Sequence, residues 1–145
     1  MIAVETNILV YAHRAEMPGH GLARETVARL AEGSAPWAIP WPCLHEFLAI
    51  VTNPRVFVPP TPLDGALVQV DRWLESPTLV VLSEAGGHWP TLAALVRAGD
   101  VRGAKVHDAR IAAICRDHGV AEILTADRDF SRFPALRTRN PLVSA

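Results

Sequence analysis

Apolar residues recur along the chain in two patterns. Ile2-Ala3-Val4, Trp37-Ala38-Ile39 and residues 78–82 and 120–125 are short apolar runs bounded by polar or turn residues, the signature of strands buried in a parallel sheet. Residues 78–82 are apolar at alternate and intervening positions alike, which predicts helices over both faces of that strand. Between the runs the spacing turns helical. Residues 8–12 resume an apolar stretch after Glu5-Thr6-Asn7, where Thr6 or Asn7 is the expected helix cap. Ala23, Val27, Leu30 and Ala31 fall at i, i+4, i+7 and i+8 and stop at Gly33. Pro42 opens a helix carrying Leu44, Phe47, Leu48 and Val51, and Asn53-Pro54 ends it.

Residues 54–62 hold four of the twelve prolines and predict an extended surface connection. Thr61-Pro62-Leu63-Asp64 then starts a helix whose expected buried stripe is Leu63, Ala66, Leu67, Val70 and Leu74, closed by Ser76-Pro77. Leu92, Leu95 and Val96 mark a helix that gives way at Gly99, and residues 106–118 form the next, closed by Gly119. A loop over 126–133 and a last, ragged strand over 136–143 complete the pattern. Strands alternating with helices predict an α/β fold with a mainly parallel sheet between helical layers, in a single domain over residues 1–145. No repeat or linker interrupts it.

The chain has 145 residues, half of them apolar, and a formal net charge of −1. That length sustains a hydrophobic core without disulfides or structural zinc. The two cysteines, Cys43 and Cys115, share no metal-ligand spacing and sit in apolar helical contexts, so both are expected as reduced core thiols. The opening has no basic leader and no apolar run reaches the roughly 18 residues of a membrane span, which predicts a cytoplasmic protein. The basic residues are thirteen arginines and one lysine, Lys105, and arginine is the better bidentate phosphate binder.

Ligands of open α/β sheets bind beyond the carboxyl ends of the strands. Glu5 follows the first strand directly, and Asp127 and Asp129 follow the strand ending at Leu124-Thr125. Two further acids sit in helices. Asp108 heads the stripe Ile111, Ala112 and Cys115, and Glu46 lies on a helix with little polar surface to spare. Ionised carboxylates withdrawn from water cost several kcal/mol unless a cation compensates them, and no lysine partner for four such acids is evident. A divalent ion, Mg2+ or Mn2+, would compensate several at once, and magnesium with carboxylates, waters and a substrate phosphate suits phosphodiester hydrolysis. The competing reading makes Asp127-Arg128-Asp129 a loop of capping residues and Glu46 the partner of an arginine.

The motifs narrow the choice. Val4-Glu5-Thr6-Asn7-Ile8-Leu9-Val10-Tyr11 resembles the opening of PIN-domain ribonucleases, specifically the VapC-type toxins of toxin–antitoxin modules. His45-Glu46-Phe47, Asn53-Pro54-Arg55-Val56-Phe57, residues 107–113 and Leu124-Thr125-Ala126-Asp127-Arg128-Asp129-Phe130 resemble later parts of that family in the same order, over nearly the whole chain. The resemblance implies a three-layer α/β/α PIN fold and a metal-dependent endoribonuclease. It also implies catalytic Glu5, Glu46, Asp108 and Asp127, with Asp129 as a further metal-site acid and Thr6, Asn7 and Thr125 as polar supports. RNA as substrate, a cognate antitoxin and a homodimer are implied in the same way.

One departure stands out: the family's first acid is ordinarily aspartate, and this chain has Glu5. The extra methylene displaces the carboxylate by roughly 1.5 Å where a productive site tolerates about 0.5 Å, which predicts weakened cleavage. A catalytically impaired PIN-like module that binds RNA or antitoxin is the alternative. Arg128 and Arg132, with Arg137 and Arg139, are expected to cluster near Asp127 and Asp129 and contact phosphate. His45 and His107 each precede an acid, but neighbouring helical residues face different directions, so surface or structural roles are expected. The four tryptophans are expected in core or dimer packing. Gly86-Gly87 is a turn, because no phosphate-cradling glycine motif is present. Asp127-Arg128-Asp129 superficially matches a phosphatase D-x-D, but that motif belongs after a first strand.

Overall fold

The computed structural model describes residues 1–143. Five strands, β1 (Ile2–Val4), β2 (Trp37–Pro40), β3 (Leu79–Leu82), β4 (Glu122–Leu124) and β5 (Arg137–Arg139), form one parallel sheet in the order β3-β2-β1-β4-β5. The helices are α1 (Thr6–His13), α2 (His20–Glu32), α3 (Trp41–Val51), α4 (Leu63–Leu74), α5 (His88–Gly99) and α6 (Val106–Asp117). Helices α2 and α3 both pack on α1 and α4 packs on α3, whereas α5 and α6 form a separate pair with α6 against β2. Crossovers from β1 and β2 move outward in one direction and the crossover from β3 returns past β1 to β4. Right-handed connections therefore send the two groups of helices to opposite faces. This is the expected three-layer α/β/α arrangement.

The central strands β1 and β2 are almost wholly buried, with Ala3, Val4, Trp37, Ala38 and Ile39 all inaccessible to solvent. They share one core with Ile8, Leu9, Phe47, Ile111, Ile114 and Ile123, drawn from both helical groups. Cys43 and Cys115 are free thiols inside it, as expected.

Four expectations need correction. The cap of α1 is Glu5 itself, not Thr6 or Asn7, because the chain passes from β1 into the helix with no intervening loop. Strand β3 is not covered on both faces: it lies at the sheet edge with β2 on one side only, and Val80 is exposed. The last strand spans only Arg137–Arg139, all exposed, since Leu136 turns into the core and Asn140-Pro141 cannot extend the ladder. A charged, short edge of this kind also resists pairing with other chains.

The fourth concerns α4. Leu63, Leu67 and Leu74 stand 65%, 44% and 42% exposed, and the inward residues are Ala66 and Trp73. The two stripes lie side by side on the helix and share Ala66 and Val70. What sets the rotation is Trp73, whose ring meets Phe47 edge-on at 4.7 Å between centroids. Of the other tryptophans, Trp37 is buried, but Trp41 and Trp89 are exposed and lie outside the core.

Candidate metal centre at the sheet switch point

The strand order reverses between β1 and β4, whose chains depart toward opposite ends of the sheet. A crevice at the carboxyl ends of two such strands is where open α/β folds bind ligands. Register brings the relevant residues there. Val4 pairs with Leu124, and the Glu5 amide donates to the Leu124 carbonyl at 3.0 Å, so Glu5 and Thr125 leave the sheet side by side.

Glu5 is 5% exposed. Its Oε2 accepts from the Asn7 amide and from the Thr125 hydroxyl, each at 3.3 Å. The neighbouring Thr6 hydroxyl donates to Glu46 Oε2 at 2.8 Å, tying the start of α1 to the middle of α3. Asn7 spans the crevice: its Nδ2 donates to Thr125 Oγ1 at 3.2 Å and its Oδ1 accepts from the Ala126 amide at 3.1 Å. Thr125 Oγ1 also accepts from the Asp127 amide at 3.0 Å. Asn7 and Thr125 thus form one continuous polar lattice under Glu5 and Asp127, and Thr6 holds Glu46 separately.

The lattice yields a prediction. Replacing Asn7 by alanine leaves the Ala126 amide without its partner and frees the loop carrying Asp127. Unfolding stability should fall by about 1–3 kcal/mol. An unchanged urea midpoint for Asn7→Ala would show that the lattice contributes nothing.

Asp108 is half-buried near the start of α6, and its carboxyl is held above the ordinary range, first by burial and then by the charge of Asp127. Burial likewise lifts Glu5 to about 7, against the hydrogen bond from the Asn7 amide, with Glu46 and Asp108 adding repulsion. Beneath them Cys43 is pushed well up, first by burial and then by the charge of Glu5, and is no nucleophile. Glu5 and Asp108 therefore each feel the charge of Glu46, although α3 and α6 belong to opposite helical groups.

Other residues depart from the sequence expectation. Asp127 also acts as a cap, its Oδ1 accepting from the Asp129 amide at 2.9 Å at the head of a 3-10 turn over Arg128–Arg132. Asp129 sits at the rim and pairs with Lys105, whose ammonium lies 4.0 Å from Asp108 Oδ2. The expectation that no lysine serves these acids is thus overturned, because the 3-10 segment Gly103–Lys105 before α6 carries the single lysine to the crevice. Arg139 pairs with Glu122 at 3.0 Å along the sheet edge and does not join the site. Arg128 and Arg132 are exposed beside it, and Arg128 lines a cleft of about 220 Å³ with Thr125, Asp127, Thr138 and Asn140. His45 and His107 are exposed, in keeping with a surface role.

Among the described residues no three acidic, imidazole or thiol side chains already converge tightly enough to enclose a metal ion. The donor chemistry nonetheless fits a hard divalent cation. Every candidate ligand is a carboxylate oxygen, and magnesium needs only one or two of these before waters and phosphate complete its shell.

Comparison with known proteins bears on the whole chain. The family model described as PIN domain matches residues 2–136. Ribonuclease VapC43 of Mycobacterium tuberculosis is 39% identical over 142 residues, covering 98% of this chain and 96% of that protein. Among solved structures, VapBC2 from Rickettsia felis, bound to a DNA fragment from their promoter, superposes with a TM-score of 0.70 at 19% identity, covering 97% and 98% of the two chains. The Mycobacterium tuberculosis sarcin-ricin loop cleaving toxin VapC20 gives 0.67 at 20% identity over 90% of this chain and 93% of that one. The two structures share its fold, and the family match and the VapC43 identity go further: the chain belongs to the PIN-domain family, in its VapC-type branch of ribonucleases.

Proposed function

We propose that this protein is a Mg2+- or Mn2+-dependent endoribonuclease, the toxin half of a toxin–antitoxin module, acting in the cytoplasm. The observation that carries this reading is the hydrogen-bond lattice at the β1/β4 switch point, which sets Glu5 beside the Asp127 loop and ties Glu46 to the start of α1, with burial and neighbouring carboxylates raising Glu5 and Asp108. Such a cluster gains free energy when a divalent ion enters. Support from the relatives is that they are named ribonucleases.

Glu5, Asp108 and Asp127 would hold the ion, with Asp129 at the rim and Glu46 facing the attacking water. A bound magnesium or manganese ion supplies Lewis-acid polarisation of a phosphoryl oxygen and a lowered pKa for a water. The chain's own residues do the remaining work. Thr6 fixes the Glu46 carboxylate by its 2.8 Å hydrogen bond, so that Oε1 is left to accept a proton from water. Asn7 and Thr125 hold the Asp127 loop against Glu5, and Arg128 and Arg132 offer guanidinium groups to RNA phosphates beside the crevice.

The glutamate at position 5 weakens cleavage in this reading. Its longer arm is folded back to cap α1 through the Asn7 amide, which draws one oxygen away from the crevice. An antitoxin partner and a second copy of the chain complete the assembly, as the family resemblance implies. Among the described residues no helix is long and apolar enough to cross a membrane.

The test is cleavage of a pool of structured RNAs with magnesium or manganese against EDTA, comparing the chain with Glu5→Asp. Metal-dependent fragments from the chain, increased in Glu5→Asp, are expected. Fragments from Glu5→Asp alone would assign the chain to the impaired binding modules, and none from either would remove the nuclease reading.

A further inference from the structure

Lys105 is the one lysine among fourteen basic side chains, and the backbone is shaped to deliver it. Helix α5 ends at Asp100 in the left-handed region, φ 46°, and Gly103 turns the chain again at φ +61°, a value that favours glycine. The 3-10 segment Gly103–Lys105 then runs directly into α6. One side-chain ammonium is thereby set between the rim and the interior of the acidic crevice, paired with Asp129 and 4.0 Å from Asp108. The hydrogen bond to Asp129 raises the lysine, and the charges of Asp129, Asp127 and Asp108 add to it.

We propose that Lys105 competes with the divalent cation for the carboxylates of Asp108 and Asp129, and so sets the ion concentration at which the site fills. The inference rests on reading this cluster as a metal centre. Its physical basis is the kind of cation used. Lysine carries a compact charge on a flexible stem, and this one is 45% exposed, so its pairing is weak and easily exchanged. An arginine there would grip a carboxylate with two parallel hydrogen bonds and exchange less readily. Among the described residues no arginine forms an ion pair with Asp108 or Asp129: Arg128 and Arg132 stay exposed beside the crevice, and Arg110, on α6, is committed to Glu84 at 2.5 Å.

Calorimetric titration of the full chain with manganese at low and high ionic strength tests the inference, using Lys105→Gln, Lys105→Arg and Asp108→Asn beside the parent. Lys105→Gln should bind manganese about five- to tenfold more tightly at low ionic strength, the size of one charge at about 4 Å in water. The gain should shrink as salt rises. Lys105→Arg should bind no more tightly than the parent. Equal or weaker binding by Lys105→Gln, with Asp108-dependent binding intact in the parent, overturns the competition alone, as does Lys105→Arg binding as tightly as Lys105→Gln. Absence of any Asp108-dependent binding in the parent overturns the metal centre and the competition with it.

Discussion

Asp108→Asn and Asp127→Asn should each lower metal-dependent RNA cleavage by about a thousandfold, since losing one charged ligand removes several kcal/mol of stabilisation from the transition state. The same variants should be no less stable than the parent in EDTA. Asp108 lies half-buried with its carboxyl raised by burial and by the charge of Asp127, so at neutral pH its ionised form opposes folding. Among the described residues Lys105 alone pairs with it, at 4.0 Å and 45% exposed, where such a pair contributes little. Cleavage assays and urea unfolding of the same samples decide the matter. A variant that loses activity together with more than about 1 kcal/mol of stability would show that Asp108 is a structural ion-pair residue.

The second large effect is a pH dependence centred on Glu5. Its carboxyl titrates near 7 in the folded chain, raised chiefly by burial, against 4.5 for the unfolded side chain. The folded state therefore binds the proton more tightly. The stability this contributes is complete below pH 4.5 and is lost as pH rises through 7. The loss is on the order of 3 kcal/mol. Glu5→Gln, which cannot ionise, should be more stable than the parent at pH 8 in EDTA and lose that advantage below pH 5. Urea midpoints for both proteins across this range measure it, and parallel pH curves would refute the shift. Manganese should stabilise the parent most at alkaline pH, where Glu5 is charged and an ion that binds only the folded state acts by mass action.

Much of the architecture was legible because it follows from local chemistry. Unbroken apolar runs such as Ile2-Ala3-Val4 and Trp37-Ala38-Ile39 have no soluble alternative to a buried strand, and both lie at the sheet centre. Pro42 and Gly119 mark helix ends by backbone geometry alone. The candidate acids were legible by a different route, their position just past strand ends or at the head of an inward stripe.

What could not be read depended on contacts between distant segments. Helical periodicity allowed α4 to bury either of two adjacent stripes, and the choice fell to Trp73 because Phe47, from α3, offers its ring there. Strand β3 reads as fully covered, but its place at the sheet edge is decided by the order of crossovers. Lys105 is the clearest case in the site. Its singularity among the basic residues was visible in the sequence, but pairing with Asp129, 24 positions on, requires that α6 and β4 already stand together.

By itself, then, the sequence determined which segments become strands and helices and the family to which the order of its motifs belongs. Hydrophobic periodicity and backbone preference act over a few residues and are written locally. Tertiary structure alone decided that Glu5 and Asp108, from opposite sides of the sheet, feel each other's charge, that Glu5 uses an oxygen to cap α1, and that a lysine stands beside Asp108 and Asp129. Those outcomes arise from the register of β1 against β4 and the packing of helices on opposite faces, where burial and charge at short range set the chemistry.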